Sequence, residues 1–286
     1  MEIELNAFDI CDDYEHIDPS LCYVLENVLS TQVDADHCEE YQKLKQSFNS
    51  ILLNGCECIQ EPHNCSVCSH GGNYKWNAQF RELVLDSERS KELIYECSSV
   101  CRCDPYKCLN RLVQKGPRRG LNIINSKLYG SKGLITTEDI PGGGYICEYA
   151  GEILTRTEAI RRQKTNEQSS LMNYILFLNE HNIAKHTTAS NVLTTIIDPS
   201  KRGNIGRYLN HSCDPNCEMR SVRVDCPIPK ICIFSKRFVN AGEELCFHYN
   251  EGCTEIVKAK YPVKFKGTVC LCGSPNCSRY LPTANI

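Results

Sequence analysis

The sequence predicts a mainly β fold of the α+β class, and two observations lead to this prediction. From about residue 120 onward, short apolar runs alternate with Gly, Pro and Asn, a pattern typical of short strands joined by turns. Helical spacing of apolar residues, by contrast, is seen in two stretches. The predicted strands cover residues 121–124, 145–149, 174–178, 194–197, 231–234 and 244–247.

The first predicted helix lies within residues 1–55, where either Asp34 or Asp36 can cap its beginning. Its apolar side would be formed by Cys38, Tyr41, Leu44, Phe48, Ile51 and Leu52. We expect this helix to pack against the rest of the protein without a chemical role. The second helix covers residues 159–164, after Thr155 and Glu158, which form a capping-box pattern.

Length and charge exclude several classes of protein. A chain of 286 residues can form one large domain or two modest ones with a substantial core. The net charge of -3 argues against binding nucleic acid through bulk charge, but is compatible with a basic partner. We expect no membrane span, because no stretch approaches about 20 apolar residues. We also expect no secretory signal, because the first residues are acidic and lack an apolar run.

Cysteine is the most informative residue type, with 21 copies. Without a secretory signal we expect a reducing compartment, where dense cysteine indicates metal sites more often than disulfides. The first group contains Cys56, Cys58, Cys65, Cys68, Cys97, Cys101, Cys103 and Cys108. The second group contains Cys270, Cys272 and Cys277. Short spacings let one turn present two thiolates to one ion, so both groups predict zinc sites.

A polar motif between the two cysteine groups reads Asn204-Ile-Gly-Arg-Tyr-Leu-Asn-His-Ser-Cys213. Two further motifs are Glu148-Tyr-Ala-Gly-Glu152 and Ala241-Gly-Glu-Glu-Leu-Cys-Phe-His-Tyr249. Together they resemble the SET-domain family of histone-lysine methyltransferases, notably its Suv39-like group. The two cysteine groups are similar to the pre-SET and post-SET segments of that family.

The resemblance covers roughly residues 56–281 and sets the expected organisation of the chain. We expect an N-terminal helical extension (1–55), a pre-SET zinc cluster (56–119), a SET catalytic domain (120–252) and a post-SET zinc segment (266–282). The resemblance implies a SET domain of short curved sheets with a knot-like C-terminal thread.

The same resemblance implies a function. It implies methyl transfer from S-adenosylmethionine to a lysine ε-amine of a histone tail, on histone H3 at position 9 or 36. The expected location is therefore the nucleus and its chromosomes, with chromatin as partner and no sequence-specific binding to DNA. The implied cofactor-binding residues are Ser131, Lys132, Gly133, Tyr174, Arg207, Asn210 and His211.

Tyr249, Tyr149 and Phe247 are the candidate catalytic residues. A lysine must lose its proton before it attacks a sulfonium methyl, and a narrow apolar channel disfavours the ammonium form. The Tyr249 hydroxyl would orient the amine and the methyl group, and Tyr149 would line the same channel. In the family, a Tyr at the place of Phe247 holds a water that limits methylation. Since Phe cannot hold that water, we expect a di- or trimethylated product.

Two departures from the family pattern leave an alternative open. Ser131 and Lys132 replace a Gly-Trp pair beside Gly133, and His248 replaces an Asp. The alternative is a catalytically weak SET protein that acts as a zinc-stabilised binding module. A zinc-based binder of nucleic acid is a third reading, but the sequence lacks the spacing of C2H2 fingers and a dense basic stripe.

The expected zinc sites are each one thiolate short. In the family nine cysteines hold three zinc ions in the pre-SET segment, and this chain has eight there. We expect His63 or His70 to supply the ninth ligand, with an incomplete cluster as the alternative. The resemblance implies that Cys213 completes the second site, which would hold one zinc, with Cys217 and Cys253 as competitors.

Overall fold

A computed structural model describes residues 12–31, 38–58, 68, 70–86, 88, 93–169, 171–181, 192–250 and 268–282. Strands dominate these residues, as the sequence predicts. Two helices are described, α1 (Glu39–Phe48) and α2 (Arg156–Gln168). The strands before α2 are β1 (Cys22–Tyr23), β2 (Val28–Leu29), β3 (Tyr74–Asn77), β4 (Glu82–Leu85), β5 (Leu93–Tyr95), β6 (Leu121–Asn125), β7 (Lys132–Thr136), β8 (Tyr145–Glu148) and β9 (Gly151–Ile153). Those after it are β10 (Leu176–His181), β11 (Val192–Gly203), β12 (Asn210–His211), β13 (Cys217–Arg223), β14 (Lys230–Ser235) and β15 (Cys246–Phe247).

Two larger sheets enclose one apolar core. The first has five strands, with β11 paired to β1, β9 and β10, and β2 at the outer side of β9. The second has the order β5-β13-β14-β8. Buried side chains from both sheets meet in one cluster, including Ile146 of β8, Ile197 of β11 and Ile233 of β14. All four residues of β8 are buried; the first three are largely apolar, and the carboxylate of the fourth, Glu148, is paired with Lys230 at 2.8 Å.

Three small strand pairs complete the fold. They are β3–β4, β6–β7 and the parallel pair β12–β15. The pair β12–β15 places Asn210 opposite Cys246 and His211 opposite Phe247. Two motifs that lie more than thirty residues apart are thereby placed side by side. Neither described helix is long and apolar enough to cross a membrane.

Both predicted helices are confirmed, but their boundaries differ, since Cys38 and not Asp34 or Asp36 is the N-cap of α1, and α2 covers Arg156–Gln168 instead of 159–164. Helix α2 begins after Thr155, whose hydroxyl accepts a hydrogen bond from the Glu158 N–H at 3.2 Å. Helix α1 begins after Cys38 and ends at Phe48, so the prediction that it continues to Ile51 and Leu52 is wrong. Asn49 closes it by donating hydrogen bonds to the last turn, since its backbone and its side-chain amide both donate to the Lys45 carbonyl. Asp34 and Asp36 lie outside the described residues.

The N-terminal segment is more than the helical extension that the sequence predicts. Strands β1 and β2 run parallel to β11 and β9, and so extend the first sheet. The Tyr23 hydroxyl lies 3.0 Å from that of Tyr208, and the Tyr14 hydroxyl accepts from the Ile205 N–H at 3.2 Å. These bonds fix residues 14–23 against the turn that leads into the Asn-His-Ser-Cys motif.

Candidate active site and metal centres

A cavity of about 350 Å³ lies where the sequence motifs around Tyr149, Asn210 and Tyr249 meet. Its walls come from the N-terminal segment, β7, the residues before β10, the motif around β12 and the residues after β15. The lining includes every candidate catalytic residue and five of the candidate cofactor residues, namely Tyr149, Phe247, Tyr249, Ser131, Lys132, Tyr174, Arg207 and Asn210. The structure therefore brings together residues that the sequence places up to 118 positions apart (249 − 131).

Three aromatic rings form one wall of this cavity. The ring of Phe247 lies 4.9 Å from that of Tyr249 and 6.1 Å from that of Tyr149, measured between centroids. Phe247 is almost fully buried, whereas Tyr249 remains partly exposed. Phe247 packs its ring between the two tyrosines and brings no polar group to this wall. The wall is consequently apolar except for two hydroxyl groups.

Both of those hydroxyl groups are oriented by backbone carbonyls. The Tyr249 hydroxyl donates to the Leu209 carbonyl at 3.0 Å, and that of Tyr149 donates to the Tyr174 carbonyl at 2.7 Å. Burial raises the pKa of both phenols above their usual value, so both stay protonated at neutral pH. Each oxygen therefore keeps its lone pairs available as acceptors.

Ser131 and Lys132 line another part of the cavity, and the buried Gly133 follows them in β7. A Cβ at this position would lie 2.9 Å from Cδ of Glu244 and 3.2 Å from Nδ2 of Asn210, so a larger residue would require these two side chains to shift. Asn210 Nδ2 donates to the Lys132 carbonyl at 3.0 Å and to Glu244 Oε1 at 2.8 Å. Ser131 Oγ lies 3.4 Å from Asn210 Oδ1. We call the backbone of residues 131–133 the backbone cradle. The side chain of Lys132 donates a hydrogen bond to Asn125 Oδ1 at 2.7 Å.

Arg207 places a positive charge at the cavity. Its guanidinium carbon lies 4.5 Å from the centroid of the Tyr174 ring, a cation–π arrangement, and Nη1 lies 3.2 Å from Asp18 Oδ2. Burial disfavours this charge, but the Tyr208 hydroxyl, Tyr174 and Asp18 outweigh it and raise the pKa of Arg207. Ile17, Asp18 and Pro19 also line the cavity.

His211 is buried, and both of its ring nitrogens face protein groups. Nδ1 accepts from the Tyr249 N–H at 3.2 Å, and therefore Nε2 carries the proton. Nε2 lies 3.4 Å from Cys213 Sγ. Burial and the neighbouring His248 lower the pKa of His211 to about 4, so the ring is neutral. His211 thus links the backbone of Tyr249 to the thiol of Cys213. Both ring nitrogens already have these protein partners, so a side-chain hydrogen bond from His211 to the cofactor, as predicted, would compete with them.

The second cysteine group gathers around Cys213. The sulfur atoms of Cys213, Cys270, Cys272 and Cys277 all lie within 4.8 Å of one another, which fits a tetrahedral zinc site. Cys217, a competitor for the fourth place, is buried in the main core instead. The other competitor, Cys253, lies outside the described residues. Pro282 follows this group and lines the cavity, so the tail reaches the site.

The first cysteine group also forms one cluster. Cys56, Cys68, Cys97, Cys103 and Cys108 are buried together, and Cys58 and Cys101 pack against them. Ligand atoms of Cys56, Cys68, Cys97 and His70 lie within 4.8 Å of one another, as do those of Cys97, Cys103 and Cys108. Cys97 thus belongs to both sets, as a bridging thiolate would. Cys65 and His63 lie outside the described residues.

Several residues of the site escaped the sequence prediction. Asp18 lies outside the segment that resembles a known family, and nothing in its local sequence indicates a role. Leu209 contributes only its carbonyl, which no side-chain pattern can show. Glu244 could have been proposed from the sequence, because it lies in the same motif as Tyr249. Its position beside Gly133, however, depends on the tertiary fold.

Comparison with known proteins gives a consistent result. Residues 131–250 match the family model described as SET domain. The chain is 36% identical over 241 residues to the histone-lysine N-methyltransferase SETMAR of Mus musculus, a match that covers 81% of this chain and 74% of that protein. The fold is similar to the crystal structure of the methyltransferase domain of human SETMAR, with a TM-score of 0.69 and 30% identity over 92% of this chain and 89% of that one. It is also similar to Arabidopsis thaliana SUVH6 in complex with SAM, with a TM-score of 0.66 and 25% identity over 96% of this chain and 52% of that one.

Proposed function

The chain belongs to the SET-domain family of S-adenosylmethionine-dependent lysine methyltransferases, and from this premise we propose that it methylates a lysine of a histone tail. The observation that carries the proposal is the cavity itself. Its aromatic wall of Tyr149, Phe247 and Tyr249 and the cradle residues Ser131 and Lys132 line the same space. An apolar channel with two oriented hydroxyl groups is what a neutral lysine amine requires.

The cradle is the proposed cofactor site. The backbone of Ser131, Lys132 and Gly133 would hold the cofactor together with Asn210, and Tyr174 and Arg207 would close its other side. S-adenosylmethionine, when bound, supplies the methyl group and the positive sulfur that disfavours an ammonium nearby. The absence of a Trp at Lys132 does not remove the cradle, because Asn210 binds the Lys132 carbonyl.

The tyrosines would orient the lysine amine. Because the protons of Tyr149 and Tyr249 are committed to backbone carbonyls, their oxygens act as acceptors. An amine N–H that donates to Tyr249 Oη leaves the nitrogen lone pair free to point along the channel. Burial among aromatic rings favours the neutral amine over the ammonium. The aromatic wall would therefore both favour deprotonation of the nucleophile and align it.

Phe247 supports a di- or trimethylated product. Its ring is buried between the two tyrosines and offers no hydroxyl to hold a water beside the amine. The space that such a water would take is then open to methyl groups already on the nitrogen. Mass spectrometry of the product at long reaction times should show dimethyl- or trimethyl-lysine, and monomethyl-lysine alone would contradict this part of the proposal.

Zinc is proposed for both cysteine groups. The second group would bind one ion through Cys213, Cys270, Cys272 and Cys277, and this ion would hold the tail that reaches the cavity through Pro282. The first group would bind about three ions. In a reducing compartment, where disulfides rarely persist, zinc would hold these neighbouring thiolates together.

The proposed substrate is the tail of histone H3, at the lysine in position 9 or 36, and the proposed place of action is chromatin in the nucleus. A basic tail suits a chain of net charge -3. An array of histone peptides, incubated with the zinc-loaded protein and cofactor labelled in its methyl group, tests this directly. Label on peptides that contain one of these lysines, lost when that lysine is replaced by arginine, is the expected result. Cofactor binding without label on any peptide would contradict it.

A further inference from the structure

We infer that His70 is a zinc ligand of the first cysteine group, through Nδ1, in the position of a ninth thiolate. This inference rests on the proposal that the group binds zinc. It selects one histidine from the two that the sequence leaves open. It also makes the ligand set of one ion in the cluster three sulfurs and one nitrogen.

The distances around His70 fit the edges of one coordination tetrahedron. With Zn–S near 2.3 Å and Zn–N near 2.05 Å, a tetrahedral site has S···S edges of about 3.8 Å and S···N edges of about 3.6 Å. The Sγ atom of Cys97 lies 3.9 Å from that of Cys56 and 3.8 Å from that of Cys68. Nδ1 of His70 lies 3.4 Å from Cys68 Sγ and 3.8 Å from Cys97 Sγ.

The other ring nitrogen fixes the tautomer that metal binding requires. Nε2 of His70 lies 2.8 Å from the backbone carbonyl oxygen of Asn54, which can only accept a hydrogen bond. Nε2 must therefore carry the proton, and Nδ1 has its lone pair in the ring plane, on the side of the thiols. A ligating imidazole whose second nitrogen donates to a carbonyl is the usual arrangement at protein metal sites.

A neutral imidazole in this place changes the charge of the cluster. It removes one negative charge relative to a thiolate, while Cys97 still bridges toward Cys103 and Cys108. Donors from the surrounding chain reach the remaining sulfurs, since Asn110 Nδ2 lies 3.7 Å from Cys97 Sγ and Arg111 Nη2 lies 3.6 Å from Cys103 Sγ. The cluster is thereby less anionic than an all-thiolate one.

Cadmium-113 NMR on the whole chain tests this assignment. The protein is purified with cadmium-113 in place of zinc and with nitrogen-15 in its eight histidines. A scalar coupling between a cadmium nucleus and one histidine Nδ1 is expected, with the proton on Nε2 of that ring. In the variant His70→Cys, which supplies a thiolate and should fold, this coupling disappears and the cadmium content is unchanged. The control His16→Gln, whose ring stacks on Tyr23 away from both cysteine groups, keeps the coupling.

The outcomes separate this inference from the zinc proposal. If the first cysteine group binds no cadmium, the zinc proposal fails and the inference fails with it. If cadmium is bound but no histidine shows the coupling, only the inference is overturned. The same holds if the coupling survives in His70→Cys, because a different histidine would then be the ligand.

Discussion

The two cysteine groups have the same donor chemistry but different relations to the cavity. The described members of the first group form one cluster, and none of them lines the cavity. The second group is connected to the cavity in two ways. The tail that carries this group lines the cavity through Pro282, and the sulfur of Cys213 faces Nε2 of His211. His211 in turn binds the backbone of Tyr249.

Zinc would therefore have a different role in each group, namely stabilising a segment in the first and positioning cavity residues in the second. In the first group zinc would add to the packing of a segment that also buries Tyr74, Leu83, Leu85 and Ile94. In the second group zinc would fix the position of groups that line the cavity. Loss of the first should therefore appear as loss of stability, and loss of the second as loss of methyl transfer.

The largest effect is expected from Cys97→Ser. Cys97 belongs to both ligand sets of the first group, so its loss should release at least two zinc ions. One structural zinc contributes roughly 10 kcal/mol, which is comparable to the whole stability of a domain. We expect a protein that is largely unfolded near 37 °C, measured by thermal unfolding and elemental analysis of zinc. The control Cys22→Ser, at an exposed cysteine outside both groups, should match the wild type; an unchanged zinc content in Cys97→Ser would contradict this role.

Cys213→Ser should separate activity from stability. One zinc ion should be lost and methyl transfer should fall by about 100-fold, because misplacement of catalytic groups by about 1 Å has this effect. The melting temperature should fall less than in Cys97→Ser. Cys217→Ser is the matched control, since Cys217 lies four positions away but in the apolar core, and it should keep its zinc. Full transfer by Cys213→Ser would show that the two groups do not differ as described.

His211→Phe tests the connection between the second group and Tyr249. Phenylalanine keeps an aromatic ring in contact with His248 and Tyr249 but removes both hydrogen bonds. An unpaired Tyr249 N–H costs about 1–3 kcal/mol, so transfer should fall at least about 5-fold at saturating zinc. Single-turnover rates with a fixed peptide measure this effect. If the rate stays at the wild-type value while zinc remains bound, His211 does not position Tyr249.

The smallest effect is expected from Asp18→Asn, which removes the charge beside Arg207. Asp18 is about one-third exposed, and such a partly exposed ion pair contributes up to about 1 kcal/mol. The dissociation constant of the cofactor, measured by calorimetry, should rise by no more than about 5-fold, with kcat unchanged. Asp12→Asn, in the same segment but paired with His16, is the control. A fall in the transfer rate as large as that of Cys213→Ser would mean that the N-terminal segment does more than line the cavity.

The sequence predicts motifs better than it predicts contacts between them. The strand over Ile231–Phe234 is correct because four apolar residues in a row have few alternatives, and the Thr155 cap is correct because its bond is local. The strand predicted from Tyr174 begins at Leu176 instead, since the Tyr174 carbonyl binds the Tyr149 hydroxyl. Strands β1 and β2 have two residues each, too few to show any periodicity.

The candidate site follows the same rule. Tyr149, Phe247, Tyr249 and Asn210 could be predicted, because each belongs to a motif that resembles a known family. The link from Cys213 through His211 to Tyr249 could not, because it depends on which ring nitrogen faces which neighbour. The choice between His63 and His70 as the ninth ligand could not be predicted either. A count of ligands allows both residues, and the choice depends on the direction of a ring-nitrogen lone pair.

The variant Tyr249→Phe tests the proposal that Tyr249 orients a lysine amine for methyl transfer. This variant keeps the ring against Phe247 and removes only the hydroxyl that we propose accepts from the amine. Cofactor affinity and transfer rate should be measured on the same preparation, with calorimetry and with label in the methyl group. We predict an unchanged cofactor dissociation constant and a transfer rate lower by about 100-fold or more. A transfer rate within about twofold of the wild type, or cofactor binding without transfer in the wild type itself, would contradict the account.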